Sequence, residues 1–285
     1  MSLFCNWNGS IVKEEEVHIS PNNRSFRYGD GCFETMKVMA GKILLSDFHF
    51  TRLFSSLNTL QFYIPPFFTA EYLYGQVIEL VKKNSHDPLA RVRLIVFRGE
   101  GGLYDLHDQS VNFIVQSWLG NAGSNLFNEA GLSLGIFTEG RVSADLYSPL
   151  KSNNYLRYAM GALFVKRLGL DDCILTNAFN RVADSTIANI FIISSGIIKT
   201  PSLTEGPVNG VMRQFLLDSF RKESIPYLET TISLEEVYDA SEVFLTNAMI
   251  GIRWVSRVGE KAYSNSISRN LYNRFVRPLF TSSTF

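Results

Sequence analysis

The chain lacks a charge excess of either sign: 27 Lys+Arg stand against 27 Asp+Glu in 285 residues. With no net field there is no bulk attraction to nucleic acid or to a membrane surface. Nor is there a strong self-repulsion to oppose association with another copy. Cysteine is scarce. Cys5, Cys32 and Cys173 are odd in number and match no disulfide or metal spacing, which points to a reducing, cytoplasmic compartment. His18, His49, His86 and His107 show no ligand spacing, and no metal is expected. No apolar run is long enough to span a bilayer. MSLFCNWNGS has no basic region followed by a long apolar one, so no signal peptide is expected. Repeats and low-complexity segments are absent as well.

What is there reads as globular: 46% hydrophobic against 19% charged, with 22 Phe and 12 Tyr for a core, an interface or a ring-binding pocket. The length suits one large domain or two of roughly 130 residues. Strands are predicted at 33–39 and 42–45 around Ala40-Gly41. Ser46 or Asp47 should cap a helix whose Phe50, Leu53, Phe54, Leu57 and Leu60 fall at helical spacing. Pro65-Pro66 stops it. A second helix is predicted from Thr69 to Lys83, then strands at 91–97 and 111–118 around the loop RGEGGLYDLHD. The small, polar stretch 119–130 reads as a linker, which gives domains at 1–118 and 131–285.

The second half opens with a strand at 131–137. A helix follows at 153–168, with Leu156, Ala159, Met160, Leu163 and Phe164 inward and Gly169 as its stop. DCILTN and NIFIISS read as strands. Val211–Lys222 reads as a helix, and Ser233 with Glu236 as a capping box. Strand EVFLT and a helix over 266–280 close the chain. The order is mixed α and β, an α/β (α+β) arrangement without the rhythm of a doubly wound sheet.

Five pieces could carry chemistry. Lys151, in SPLKSNNYLRY, stands where a polar loop meets a helix; alone it reads as a solvated lysine. TEGPVNGVMRQFLL feeds a glycine-framed turn into a helix, and a helix start offers unpaired N–H groups to a phosphate. No Gly-Lys-Ser/Thr follows, so it is not a Walker motif. Asp184 precedes a small run and Asn189-Ile190-Phe191, which also suits a turn aspartate. Gly29 and Gly31, in FRYGDGCFETMKV, could serve a tight turn only. Arg52 follows His49 on a helix, where most arginines are solvated.

Their order is the informative part. YGDG-F-ET, then H-x-x-RL, RGxGG, a lysine, an acid with N-x-F, TP and NG-V-M-R together resemble the class IV aminotransferases, the fold-type-IV pyridoxal-phosphate enzymes. These include branched-chain and D-amino-acid aminotransferases and 4-amino-4-deoxychorismate lyase. The resemblance covers essentially the whole chain. It implies a two-domain subunit, a homodimer, a small-molecule substrate and pyridoxal 5'-phosphate (PLP), with neither nucleic acid nor membrane as partner. Lys151 matches the lysine that forms the Schiff base with the cofactor, and Asp184 the acid facing the pyridine nitrogen. Arg52 matches the phosphate-gripping arginine. Gly210, Val211 and Met212 match the helix start whose N–H groups cradle that phosphate.

The physics suits these roles. A lysine with an ordinary value near ~10.4 is nearly all charged, and must be neutral to attack. An acid on the ring nitrogen keeps it protonated, so that the ring accepts electrons. Three departures stand out. Most members carry Glu where this chain has Asp184, roughly 1.5 Å shorter. The branched-chain enzymes place a tyrosine where Leu156 stands. Many aminotransferases have a Ser/Thr phosphate ligand where Ala248 follows Asn247. GDGCF, RGxGG, VNGVMRQF and Asn247-Ala248 bring the chain nearer the lyases. Position and charge give the substrate walls as Phe33, Thr35, Lys37, Arg98 and Tyr104, with Lys37 and Arg98 as carboxylate partners.

Overall fold

The computed structural model describes residues 3–104 and 110–281. Part of the glycine-rich loop, residues 105–109 with His107, lies outside it. Two compact units divide the chain. The first runs to Gly123 and takes in Leu150–Asn154; the second comprises Ser124–Pro149 and resumes at Tyr155.

The first unit begins with β1 (Phe4–Trp7), β2 (Ser10–Lys13) and the short α1 (Arg24–Tyr28). There follow β3 (Gly31–Met39), β4 (Lys42–Ile43), α2 (Ser46–Thr59), α3 (Ala70–Lys83), β5 (Leu89–Phe97) and β6 (Asn112–Leu119). The strands form one antiparallel sheet in the order β2-β1-β6-β5-β3-β4. Side chains alternate across a strand. Cys32, Met36 and Val38 of β3 therefore join Val92, Leu94 and Val96 of β5 in a core with Leu53 and Leu57 of α2 and Leu73, Val77 and Leu80 of α3. Burying each such leucine contributes about 1.5–3 kcal/mol. Phe33, Thr35 and Lys37 fall on the other face, paired in register with Ile95, Arg93 and Arg91. The predicted cap of α2 is displaced: Leu45, at φ 55°, is the residue before the helix, and Ser46 is its first residue. The chain leaves β4 through that left-handed turn, so neither Ser46 nor Asp47 is placed to cap. Thr69 does cap α3, accepting from the Tyr72 N–H.

Lys151 was expected with the second domain. Its segment instead pairs with the start of β3, on the edge that the short β4 leaves open. Phe33 N–H donates to the Lys151 carbonyl at 2.9 Å, and Asn153 N–H to the Gly31 carbonyl at 2.9 Å. Backbone pairing of this kind leaves no trace in composition.

The second unit contains β7 (Leu132–Val142), α4 (Leu156–Leu168), β8 (Asp172–Asn177), β9 (Val182–Ser185), β10 (Asn189–Ser194) and β11 (Ile197–Pro201). It continues through α5 (Val211–Lys222), β12 (Tyr227–Thr230), α6 (Leu234–Asp239), β13 (Glu242–Asn247), β14 (Gly251–Val258) and β15 (Lys261–Ala262). Its nine-stranded sheet runs β12-β11-β10-β13-β14-β7-β8-β9, with β15 on β14. β7 lies parallel to both β8 and β14. The last helical stretch is α7 (Ser266–Leu271), a π-helical segment (Tyr272–Val276) and α8 (Arg277–Thr281). The Ser233/Glu236 capping box is present. β12 and β14 were not legible; Arg253, Ser256 and Arg257 interrupt the apolar alternation of β14.

The inward face of α4 is the main correction. Leu156, Met160 and Leu163 are 68%, 43% and 58% exposed, and Ala159 is exposed too. Tyr158 and Gly161 face inward instead. A Cβ on Gly161 would stand 3.0 Å from Thr186 and 3.3 Å from Leu175, so the glycine sets the helix close to β8. Among the described residues no helix is long and apolar enough to cross a membrane.

Candidate functional site

In the first unit, Lys151 Nζ lies 4.5 Å from the centroid of the Phe33 ring. Arg93 approaches the same ring at 4.1 Å, so two cations flank one aromatic on the face of β3 away from the helices. Beside them, Asn23, Ser25, Arg93, Ile95, Phe97 and Asn153 line part of a cavity of about 210 Å³. Asn153 donates to Ser25 Oγ at 2.9 Å, and its buried carboxamide oxygen has no hydrogen-bond partner among the described residues. Thr35 and Lys37 share this face of β3, Thr35 half-buried and Lys37 fully buried. Tyr104 is 93% exposed.

Arg98 has another task. It donates to Asp30 Oδ1 at 2.5 Å and to the Leu60 carbonyl, with its guanidinium 4.2 Å from the Phe62 ring. Asp30 also holds Arg24 Nε at 2.8 Å. Arg98 thus ties down the turn after α1, and Arg93 is the arginine that lines the cavity.

On the helix side of β3, Glu34 takes Arg52 by two nitrogens, Nε at 2.7 Å and Nη2. His49 Nδ1 lies 2.7 Å from the same carboxylate. Burial alone would raise the Glu34 carboxyl. The Arg52 guanidinium and the His49 bond outweigh it and bring the value down to about 2. Burial pushes His49 below its ordinary value; Glu34 opposes this, while Arg52 and Lys151 reinforce it. A neutral ring beside a carboxylate must donate from Nδ1. Arg52 is therefore aimed by a buried acid. Glu34 and His49 were both visible in the motifs FET and H-x-x-RL, yet their pairing needs β3 packed on α2.

In the second unit, Asp184 is 2% exposed on β9. Its carboxylate accepts from Asn189 Nδ2 at 3.0 Å and from Val208 N–H at 3.0 Å. Asn189 also donates to the Val208 carbonyl at 2.7 Å. α5 begins after Gly210 with no side chain capping it. A Cβ at Gly210 would lie 1.9 Å from Asn189 Oδ1, so only glycine lets the helix start approach the asparagine that holds Asp184. Val211 and Met212 open the helix and are buried. The motif arginine Arg213 turns away, onto Glu229 at 2.6 Å and the Pro201 carbonyl at 3.0 Å. Asn247 caps its own turn, accepting from Met249 N–H at 2.9 Å and Ile250 N–H at 3.0 Å, and its amide reaches the Ile187 carbonyl. Ala248 sits inside that turn.

Residues 31–258 match the family model described as amino-transferase class IV. The chain belongs to the class IV aminotransferases. Among curated relatives, the aminodeoxychorismate lyase of Vibrio harveyi is 27% identical over 245 residues, 85% of this chain and 88% of that one. The branched-chain aminotransferase of Thermoproteus uzoniensis has the same fold, with a TM-score of 0.87 at 24% identity over 98% of this chain and 95% of that one. The branched-chain amino acid aminotransferase of Escherichia coli shares it too, with a TM-score of 0.86 at 20% identity over 100% of this chain and 96% of that one. Class IV aminotransferases use PLP, and the likenesses span lyase and aminotransferase.

The residues present fit that cofactor. An uncapped helix start offers N–H groups to a phosphate. A buried carboxylate that accepts from Asn189 and Val208 suits a pyridinium, and a lysine over an aromatic suits a carbonyl partner. Among the described residues no group of three His, Cys, Asp or Glu could hold a metal.

Proposed function

We propose that the protein is a PLP-dependent lyase that converts 4-amino-4-deoxychorismate into 4-aminobenzoate and pyruvate. The observation that carries the lyase reading is the turn at Asn247-Ala248. There a carboxamide caps two backbone N–H groups, where many aminotransferases of the family carry a Ser/Thr ligand. The VNGVMRQF and RGEGG segments and Leu156 point the same way. We assign the cofactor to Lys151, Arg52, Asp184, Gly210, Val211, Met212, Asn247 and Ala248.

When bound, PLP supplies an electron sink for charge developing at the carbon that bears the substrate amine. Lys151 holds the cofactor until substrate displaces it. Its freed amine then moves the proton on that carbon as general base. Asp184 keeps the proton on the ring nitrogen. Arg52 and the start of α5 hold the phosphate. Phe33, Thr35 and Tyr104 wall the substrate. Its carboxylates meet Lys37 and Arg93, and Arg98 serves by fixing the Asp30 turn. We read the protein as a cytoplasmic homodimer: its three cysteines are buried and unbonded, and α4 presents Leu156, Met160 and Leu163 outward.

The likeness to branched-chain aminotransferase structures supports a second reading, amino-group transfer to a 2-oxo acid. The test is turnover of 4-amino-4-deoxychorismate with no amino acceptor. Many turnovers to 4-aminobenzoate are expected from a catalytic amount of enzyme. A single turnover with an amino acid, loss of the yellow colour, recovery on adding 2-oxoglutarate and no aromatic product would contradict the lyase reading.

A further inference from the structure

A hydroxyl buried without a partner destabilises a fold unless a ligand or a water meets it. Thr246, near the end of β13, is 1% exposed, and its Oγ1 has no hydrogen-bond partner among the described residues. β13 runs between β10 and β14, so Thr246 pairs in register with Asn189 on one side and with Ile252 on the other. Successive side chains of a strand point to opposite faces. Val243 and Leu245 of β13 join the core that includes Val237 of α6. Thr246 therefore shares the other face with Phe244, whose ring stacks on Phe191 of β10 at 4.9 Å and 5°.

That face leads to the start of α5. Residues directly opposite in an antiparallel pair put their side chains on the same face, with Cβ atoms about 4.5–5.5 Å apart. The Thr246 hydroxyl thus stands beside the Asn189 side chain. Asn189 Oδ1 in turn would lie 1.9 Å from a Cβ on Gly210, the residue before α5. No side chain caps that helix. The turn after β13 supplies no hydroxyl either. Ala248 has none, and Asn247 uses its carboxamide oxygen on the Met249 and Ile250 N–H groups.

We infer that Thr246 Oγ1 is a ligand of the cofactor phosphate, donating to one of its oxygens beside the start of α5. The inference rests on the PLP reading above and adds a residue that no motif marked. A hydroxyl that donates to a charged oxygen makes a stronger bond than a neutral pair does, and binding satisfies an atom that folding leaves bare. The hydroxyl therefore disfavours the empty protein and favours the loaded one. One substitution should show both signs: Thr246→Val keeps the shape of the side chain and removes its hydroxyl.

The experiment titrates apoprotein with PLP and, separately, with pyridoxal, which has the ring and aldehyde but no phosphate, and follows the melting of the empty protein. Thr246→Val should weaken PLP binding roughly ten- to a hundredfold. It should leave pyridoxal binding unchanged and melt no lower than the wild-type apoprotein. Thr246→Ser keeps the hydroxyl and should keep the wild-type affinity for PLP. A Thr246→Val protein with wild-type PLP affinity overturns the inference, as does a Thr246→Ser protein that behaves like it. Equal losses for PLP and pyridoxal would give the hydroxyl to the ring or to the fold and overturn it too. A Thr246→Val apoprotein that melts lower would mean that the hydroxyl has a structural partner, with the same consequence. The two levels separate on the wild-type protein. If it takes up PLP and Thr246→Val does so equally well, the ligand role fails alone. If the wild-type protein takes up no PLP, the cofactor reading falls and takes the inference with it.

Discussion

Arg52 and Glu34 show how one side chain acquires its task from another. Glu34 engages Nε and Nη2 of Arg52, which sets the plane of a guanidinium that we assign to a phosphate. Arg52→Ala should weaken PLP binding roughly ten- to a hundredfold, the worth of one charge-assisted bond, while changing the chemical step less. Titrating apoprotein with PLP checks it; unchanged affinity would leave the phosphate to the start of α5 alone. Asp184→Ala should keep PLP bound and slow turnover severely, and near-normal turnover would mean that another acid holds the ring nitrogen. Lys151, Asp184 and Arg52, which we assign to the cofactor, were singled out in the sequence by family motifs in a fixed order. Glu34, Asn189 and Arg93 were not, since each matters through a neighbour 18, 5 or 60 residues away. Only folding brings such pairs together.

At the scale of elements, the join of β3 and α2 carries a pH dependence. The Glu34 carboxyl is depressed to about 2, so its contribution is present above its ordinary value of 4.5 and is lost as pH falls from 4.5 toward 2. His49 is depressed below 6.5, so the unfolded chain takes up a proton that the folded one refuses, and stability declines as pH falls below 6.5. Both act in one direction. The melting temperature should drop on acidification from neutral pH, and Glu34→Gln should start lower and lose less between pH 4.5 and 2 than the wild-type protein does. An equal acid response in the variant would refute this. At the start of α5, Gly210→Ala places a methyl 1.9 Å from Asn189 Oδ1. A loss of about 1–3 kcal/mol in stability is expected, with weaker PLP binding because the helix start must shift; unchanged melting and affinity would deny the close approach. α5 itself was legible from its glycine-framed entry. The inward face of α4 was not: the stripe Leu156, Met160 and Leu163 gave the period, but whether a stripe meets its own core or another surface depends on what packs there.

For the molecule as a whole, that outward stripe belongs with the proposed homodimer. Leu163→Glu should shift sedimentation toward the monomer without unfolding the chain, because Leu163 is 58% exposed; an unchanged sedimentation coefficient would place the second copy elsewhere. The mixed α/β class and the two-unit organisation could be read from the order of strands and helices. The return of Leu150–Asn154 to the first unit could not, because five residues of backbone pairing leave no compositional mark. That return seats Lys151 against Phe33, and it is what the account depends on most. Borohydride reduction of the PLP-loaded protein followed by peptide mapping tests it directly. The phosphopyridoxyl adduct should be found on Lys151. An adduct on Lys37, the other lysine of this face and fully buried, or no adduct at all, would contradict the account.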